Sequence, residues 1–265
     1  MDIISHTLTG VALGTVTATV SNKNWKKKAL LIFLGGLGGA LPDFDAISLW
    51  SKFDKTFGIL LNLKHSGKEI YFGKFWYSHH AALHSVLAPI IFILFFIILI
   101  ALRKRFQITD ILESLKNVKL FFIAFFTGFI FHLLEDMPTP ASVWGGVNLF
   151  YPSSKYIGGF GKIWWWNNYD LVLIIITVIF INLLLNCFPK QYHTYKSKAS
   201  ITVFSIGCFI FLYQINTRTI DFSYTGHTTK YAQFEKQSKQ IQKEILGEKL
   251  FNIMTTIDNK ISLNF

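Results

Sequence analysis

The stretch 83–102, LHSVLAPIIFILFFIILIAL, is apolar over its whole length apart from His84 and Ser85. An α-helix of twenty such residues crosses a hydrocarbon core of roughly 30 Å. Three further stretches have the same character, namely 118–134, 171–188 and 199–215. The composition agrees, because 51% of the 265 residues are hydrophobic and only 15% are charged. The sequence therefore predicts an integral membrane protein.

Two weaker segments precede these spans. Residues 3–20 are rich in Gly and Thr, and the glycines of 29–41, ALLIFLGGLGGAL, would let another helix pack closely. We therefore predict an all-α, polytopic transmembrane bundle of about six membrane segments over residues 1–215. Residues 216–265 are polar and are predicted to form a C-terminal tail with an amphipathic helix near 234–250.

The net charge of +11 comes from lysines and arginines in short loops beside the apolar segments, a pattern that indicates membrane orientation and not nucleic-acid binding. Loops 42–82 and 135–170 together hold only seven basic residues, so we expect the denser alternate loops to be cytoplasmic. Multi-pass insertion in the cell membrane follows, with both termini outside. The dense set holds twelve basic residues: Lys23, Lys26, Lys27, Lys28, Arg103, Lys104, Arg105, Lys116, Lys119, Lys190, Lys196 and Lys198.

Histidines and aspartates recur at the ends of the first four segments. In the predicted topology each of them lies at the outer end of its segment, so four distant parts of the chain meet at one level of the bundle. His132 and Asp136 are four residues apart and share a helical face, and the same spacing predicts a shared face for His80 and His84. The full set is His6, Asp43, Asp45, His79, His80, His84, His132 and Asp136.

Mixed imidazole and carboxylate donors suit zinc, or manganese or iron, and hardly suit magnesium or calcium. We therefore predict a divalent metal site of one or two ions, most readily zinc. Each feature alone has a structural alternative. The alternatives are His6 as a helix-start residue, Asp43 and Asp45 as helix caps, His80 and His84 as interfacial polar groups, and His132 with Asp136 as a structural hydrogen-bonded pair. Their joint placement favours the metal. Glu135 falls on another face, where we expect solvent or a lysine partner.

Three other histidines, His65, His193 and His227, lack neighbours of this kind and are expected at the surface. The two cysteines lie within or beside predicted spans, so the sequence indicates neither a disulfide framework nor a thiolate metal site.

In order and combination, these motifs resemble the YdjM-like family of membrane-bound, predicted metal-dependent hydrolases. The matching stretches are SHTLTG at 5–10, LPDFD at 41–45, SHHAALHS at 78–85 and HLLEDMPTP at 132–140. That family is in turn distantly similar to the zinc-dependent phospholipase C and P1 nuclease superfamily. This chain departs from the family pattern at Ala46-Ile47, at His80-Ala81 and at Leu83, and the second departure removes a family arginine.

The resemblance implies roles for individual residues. Asp136 would bridge two metals, and the first metal would also be held by Asp43, His132 and one of His79 or His84. The second metal would be held by His6. Asp45 and Asp43 are candidates for the general base, and His80, at the position of the family arginine, is a third candidate catalytic residue.

We therefore expect a hydrolase in which metal-activated water cleaves a phosphoester or headgroup bond of a lipid-like substrate. The expected partners are membrane lipids and an amphiphilic substrate, and not nucleic acid. A divalent-cation carrier and a metal-stabilised membrane protein without chemistry are the alternatives. A carrier needs polar groups deep in its spans, and residues 86–102 and 171–181 contain almost none.

Overall fold

The computed structural model describes residues 1–260, which are mostly helical, with long loops at 137–168 and 217–230. The short 3-10 and π-helical turns are Leu41–Leu49, Asp54–Gly58, Ala82–His84 and Lys190–Tyr192. The α-helices are α1 (Ile3–Val20), α2 (Trp25–Ala40), α3 (Gly67–Phe72), α4 (Leu87–Arg103), α5 (Ile108–Asp136), α6 (Tyr169–Cys187), α7 (His193–Asn216) and α8 (Tyr231–Lys260).

Within residues 1–260, five helical segments are long and apolar enough to cross a membrane: those built on α1, α2, α5, α6 and α7. The helix α4 is equally apolar but only 17 residues long. The predicted all-α membrane bundle is confirmed. α1 has the predicted limits, whereas α5 begins at Ile108 rather than at 118, because its first two turns are amphipathic rather than apolar.

The helix of the third predicted segment begins later than the sequence indicated. The third segment becomes α-helical only at Leu87, and residues 73–86 form turns with a short 3-10 segment. His80 has a positive φ of 62°, which no α-helix contains. The prediction that His80 and His84 share a helical face is therefore wrong. A folded loop, and not helical spacing, brings these histidines together.

The bundle is centred on α1, α2 and α5, which approach each other at glycines. A Cβ atom at Gly10 of α1 or at Gly128 of α5 would overlap the carbonyl oxygen of Gly35 in α2. A Cβ at Gly39 would overlap the carbonyl oxygen of His6. Small residues allow this backbone contact, as the glycines of α2 predicted. The contact sets the spacing of the helix ends that carry His6 and His132.

The two ends of the bundle differ in chemistry. At one end, Lys23 Nζ donates to the Asn117 carbonyl at 3.1 Å and Lys28 Nζ donates to Asn186 Oδ1 at 2.8 Å. These contacts bring the basic loops together. The start of α1 and the ends of α2 and α5 meet at the opposite end. The basic loops and the histidine and aspartate motifs thus lie at opposite ends of the helices.

The C-terminal segment packs on the histidine end of the bundle. Trp164 Nε1 donates to Glu235 Oε2 at 2.8 Å, and Arg218 forms a buried ion pair with Asp170 at 2.9 Å. The predicted amphipathic helix is present as α8, and it is interrupted at Gly247, where φ is 72°. The tail is thus a packed part of the structure over its described length.

Replacing Gly35 by alanine should lower the thermal stability of the detergent-solubilised protein strongly, because the new methyl group would overlap the backbone of α1. We expect a loss of about 1–3 kcal/mol or more, read as a fall in the melting temperature. Gly58→Ala is the matched control, since its Cβ would meet only ordinary contacts. Equal melting temperatures for the two variants would contradict the close packing.

Candidate metal centre

Four ligand atoms from three parts of the chain converge at the histidine end of the bundle. His132 Nε2 lies 3.1 Å from Asp136 Oδ2 and 3.7 Å from Asp43 Oδ1. His84 Nε2 lies 3.6 Å from Asp43 Oδ1 and 3.7 Å from Asp136 Oδ2. Both imidazoles are fully buried, and Asp136 is 2% exposed. Four of the predicted site residues, from three of the four sequence motifs, thus form one compact cluster.

These separations fit a tetrahedral ion. With zinc bonds of about 2.0–2.2 Å to nitrogen and oxygen, the edges of a tetrahedron are roughly 3.3–3.6 Å long. The four distances above span 3.1 to 3.7 Å. His84 Nε2, His132 Nε2 and Asp136 Oδ2 are also buried without a hydrogen-bond partner. Buried polar atoms in this state need a partner, and a cation between them supplies one.

The orientation of the rings supports the same conclusion. His132 Nδ1 donates to the Gly39 carbonyl at 2.7 Å, so a neutral ring must present the lone pair of Nε2 to Asp136. Asp45 Oδ2 lies 3.2 Å from Nδ1 of His84. Carbonyl and carboxylate partners at Nδ1 are the usual outer partners of metal-bound histidine. The lone pairs of His132 Nε2 and Asp136 Oδ2, which lie 3.1 Å apart, repel each other unless a cation lies between them.

The other oxygen of Asp136 faces a different set of groups. Asp136 Oδ1 lies 3.0 Å from His6 Nε2 and accepts a hydrogen bond from the amino group of Met1 at 2.8 Å. His6 is fully buried, and its Nδ1 is held by Glu135 Oε2 at 2.9 Å. His6, His132 and Asp136 form a second group with metal-ligand spacing. The two oxygens of Asp136 therefore face two neighbouring groups of donors.

Glu135 is buried, contrary to the sequence-based prediction. It is 6% exposed and binds His6 and Thr9, whereas the sequence suggested solvent or a lysine partner. Its face of α5 is covered by α1, which the helical spacing of α5 alone does not reveal. The signal was available in another form, because an acid in an apolar helix is usually buried against a partner.

Asp45 connects two of the histidines. Its Oδ1 lies 2.6 Å from His79 Nδ1, and its Oδ2 faces His84 Nδ1. His79 stacks on Tyr71, with ring centroids 4.5 Å apart and planes at 12°. Of the two histidines proposed for the first ion, His84 is the one whose Nε2 faces Asp43 and Asp136. His79, His80 and His84 also form a third group with metal-ligand spacing.

His80 completes the centre from the loop. Its Nδ1 donates to the Gly146 carbonyl at 2.9 Å, and its Nε2 lies 3.9 Å from Asp136 Oδ2. Trp144 stacks on its ring at 4.7 Å. Burial, together with the neighbouring His79, lowers the pKa of His80 well below its usual value, so this ring is neutral at pH 7. A neutral ring held at Nδ1 presents an unshared electron pair at Nε2.

Charge affects His84 in the opposite direction. Burial alone would lower its pKa, but the carboxylates of Asp45 and Asp43 outweigh burial and raise the pKa of His84 to about 10. These carboxylates therefore stabilise positive charge at this ring. A divalent cation at Nε2 would satisfy the same carboxylates, since metal and proton compete for one electron pair.

A cavity of about 900 Å³ opens beside this cluster. Asp43, Asp136, His79 and His80 are among the residues that line it, whereas His84 and His132 lie behind them. Aromatic side chains, including Trp144 and Trp165, cover much of the remaining wall. Sequence patterns did not identify these aromatic residues, because their positions depend on the long loop between α5 and α6. A molecule in the cavity would reach Asp43, Asp136, His79 and His80.

Of the three histidines expected at the surface, His227 is exposed and His65 and His193 are half-buried, and all three lie outside the groups with metal-ligand spacing. His193 Nε2 lies 3.0 Å from the Val20 carbonyl at the basic end of the bundle, and His65 stacks on Phe75. His227 lies in the C-terminal segment and is exposed at the rim of the cavity. His193 is therefore a suitable control for the metal cluster.

Removing the shared carboxylate should remove the metal. Purified wild-type protein should carry one or two transition-metal ions per chain by elemental mass spectrometry, and Asp136→Asn should lose most of that metal. The change takes a charged oxygen from between His6 and His132. His193→Ala should keep the wild-type content. Wild-type protein that is metal-free after purification without chelator would overturn the assignment.

Comparison with known families identifies the family of the chain. A family model described as "YdjM inner membrane protein" matches residues 1–220, which include every residue of the cluster. No curated protein and no solved structure matches the chain. The distant similarity to the zinc-dependent phospholipase C and P1 nuclease superfamily therefore stays a prediction. The match over most of the chain shows that it belongs to the YdjM inner membrane protein family.

Proposed function

We propose that this protein is a membrane-bound metal-dependent hydrolase that cleaves a phosphoester or headgroup bond of a lipid-like substrate. One observation carries the proposal. The unpartnered His84 Nε2, His132 Nε2 and Asp136 Oδ2 converge with Asp43 Oδ1 at tetrahedral spacing, beside a cavity large enough for a substrate. A metal site that is only structural would be closed on all sides.

The donor set favours zinc, in one or two ions. Two imidazoles and two carboxylates would hold the first ion, and His6 with the second oxygen of Asp136 would hold the other. When bound, such an ion would lower the pKa of water towards neutrality and stabilise charge on a phosphoryl oxygen.

The residues of the chain would then divide their roles by access to the cavity. His80 lines the cavity, and its Nδ1 is fixed by Gly146, so its Nε2 is directed as a proton acceptor for the attacking water. Asp45 does not line the cavity, and both of its oxygens face Nδ1 atoms. In this proposal Asp45 positions His79 and His84, and the role of general base passes to His80.

A carrier is the weaker alternative. A pathway across the membrane needs ionisable or polar groups along its length. In α4, residues 87–102 contain no ionisable side chain, and in α6 neither do residues 171–186. The histidine and aspartate groups lie at one end of the helices, at the level where a lipid headgroup meets the protein. This position favours chemistry on a headgroup over ion transport.

Substitutions should separate binding from chemistry. With metal-loaded protein and a panel of phospholipids, His80→Ala should keep its metal and lose about 10²-fold or more in kcat for headgroup release, because a general base is removed. Asp45→Asn should lower metal affinity about 10–100-fold through its effect on His84. His193→Ala is the control for both.

Two outcomes would count against these roles. Equal kcat in His80→Ala and wild-type protein would remove His80 from the chemistry. Absence of headgroup release and of phosphodiester cleavage by fully metal-loaded wild-type protein would leave a metal-stabilised membrane protein in place of a hydrolase.

The charge distribution further supports a site that faces away from the cytoplasm. In a Cys187→Ser, Cys208→Ser background, cysteine at the exposed Ser153, near the site, should react with a membrane-impermeant maleimide on intact cells. Cysteine at the exposed Thr194, in the basic loop, should react only after permeabilisation. The reverse pattern would turn the site towards the cytoplasm and leave the metal assignment intact.

A further inference from the structure

The cavity beside the metal centre has a polar part and an apolar part, and the apolar part is here called the groove. At the metal end the wall carries Asp43, Asp136 and His80. Other parts of the wall are apolar and include Ile4 and Leu8 of α1, Val172 and Ile176 of α6, and Met254 and Ile257 of α8. The first four residues come as two pairs spaced by four, so each helix presents one continuous face to the groove.

The groove extends into the membrane-crossing part of the bundle. α6 begins at Tyr169, so Ile176 lies about 10 Å further along the helix axis, at 1.5 Å per residue. Ile176 is 42% exposed, which means that the groove reaches the outer surface of a span. A groove that joins a polar cluster to the apolar layer suits a molecule with a polar head and a long chain.

The C-terminal helix forms the remaining wall. Beyond the break at Gly247, the last three turns of α8 place Met254 and Ile257 against the groove, and Asp258 Oδ2 accepts a hydrogen bond from Tyr169 at 2.8 Å. This bond ties the end of α8 to the start of α6. The described tail thus covers the groove and is held there by a polar contact.

The composition of the described wall disfavours soluble polyanions as ligands. Of the described residues that line the cavity, none is a lysine or an arginine. Free nucleotides and other soluble polyanions, which carry several charges and no chain, would find little compensation there. An amphiphile with one phosphoester at the metal centre would bury its chain against the six apolar residues instead.

We infer that the groove between α1, α6 and the end of α8 binds the hydrocarbon chain of a phosphoester lipid, and that Ile176 and Ile257 set the preference for long chains. This inference rests on the proposed function for the headgroup end. Binding of the hydrocarbon chain in the groove can be tested without turnover, because retention of a lipid is measured directly.

The test uses native mass spectrometry of the detergent-solubilised, metal-loaded full-length protein. The probes are dioleoyl and dibutyryl phosphatidylethanolamine. Wild-type protein should retain one dioleoyl lipid and little of the short-chain analogue. Ile176→Trp on α6 and Ile257→Trp on α8 should each fill part of the groove and weaken retention about tenfold or more, as expected when two or more methylenes lose their burial. Leu184→Trp, on an exposed part of α6, is the matched control.

Each outcome has a distinct meaning. Equal retention in Ile176→Trp, Ile257→Trp and Leu184→Trp would overturn the inference, provided that all three keep wild-type metal content as evidence of folding. If one groove variant fails to fold, the groove variant on the other helix decides. If lipids are retained as expected but neither lipid is hydrolysed, the proposed function is contradicted and the binding site for the hydrocarbon chain is supported. If the lipid is hydrolysed but the tryptophan substitutions do not change its retention, the proposed function is supported and the groove inference is contradicted.

Discussion

A carboxylate inside a membrane protein must be compensated, and the centre of this structure is arranged around one such group. Asp136 is 2% exposed, and its two oxygens face His132 and His84 on one side and His6 on the other. An isolated charge in this environment would cost several kcal/mol. Each imidazole must therefore be oriented with its Nε2 towards Asp136. The partners at Nδ1 fix this orientation: the Gly39 carbonyl for His132, Asp45 for His84 and Glu135 for His6.

The backbone packing decides whether these partners can be reached. Gly39 supplies the carbonyl that holds His132, and only a residue without a side chain lets α1 lie against this turn of α2. The contacts of Gly10 and Gly128 with Gly35 extend the same close approach along the bundle. Distances between donors of 3 to 4 Å thus depend on helix packing that begins beside His6 and His132 and extends along the bundle. Packing and chemistry are coupled because the ligands sit on three different helix ends and a loop.

Much of this arrangement could be predicted from the chain alone, and the reason is physical. Membrane helices have a fixed length and alternate in direction, so a residue's place in its span gives its level in the bundle. His6, Asp43, His84, His132 and Asp136 were all predicted to share one level. Helix-to-helix contacts and loops follow no such rule. The burial of Glu135 needed α1 to cover it, and the histidines at 79–84 converge through a loop with a positive φ at His80, not through a helical face.

The same argument explains why two aspartates occur in one short turn. Asp43 and Asp45 are two residues apart in a 3-10 segment that follows α2, so their side chains leave the turn in different directions. Asp43 lines the cavity and faces the Nε2 atoms, whereas Asp45 lies behind His84 and His79 and contacts their Nδ1 atoms. One carboxylate is placed to bind, and the other to orient the groups that bind. An asparagine at 45 would retain one acceptor for two imidazoles, so the geometry of His84 depends on a charge that never reaches the cavity.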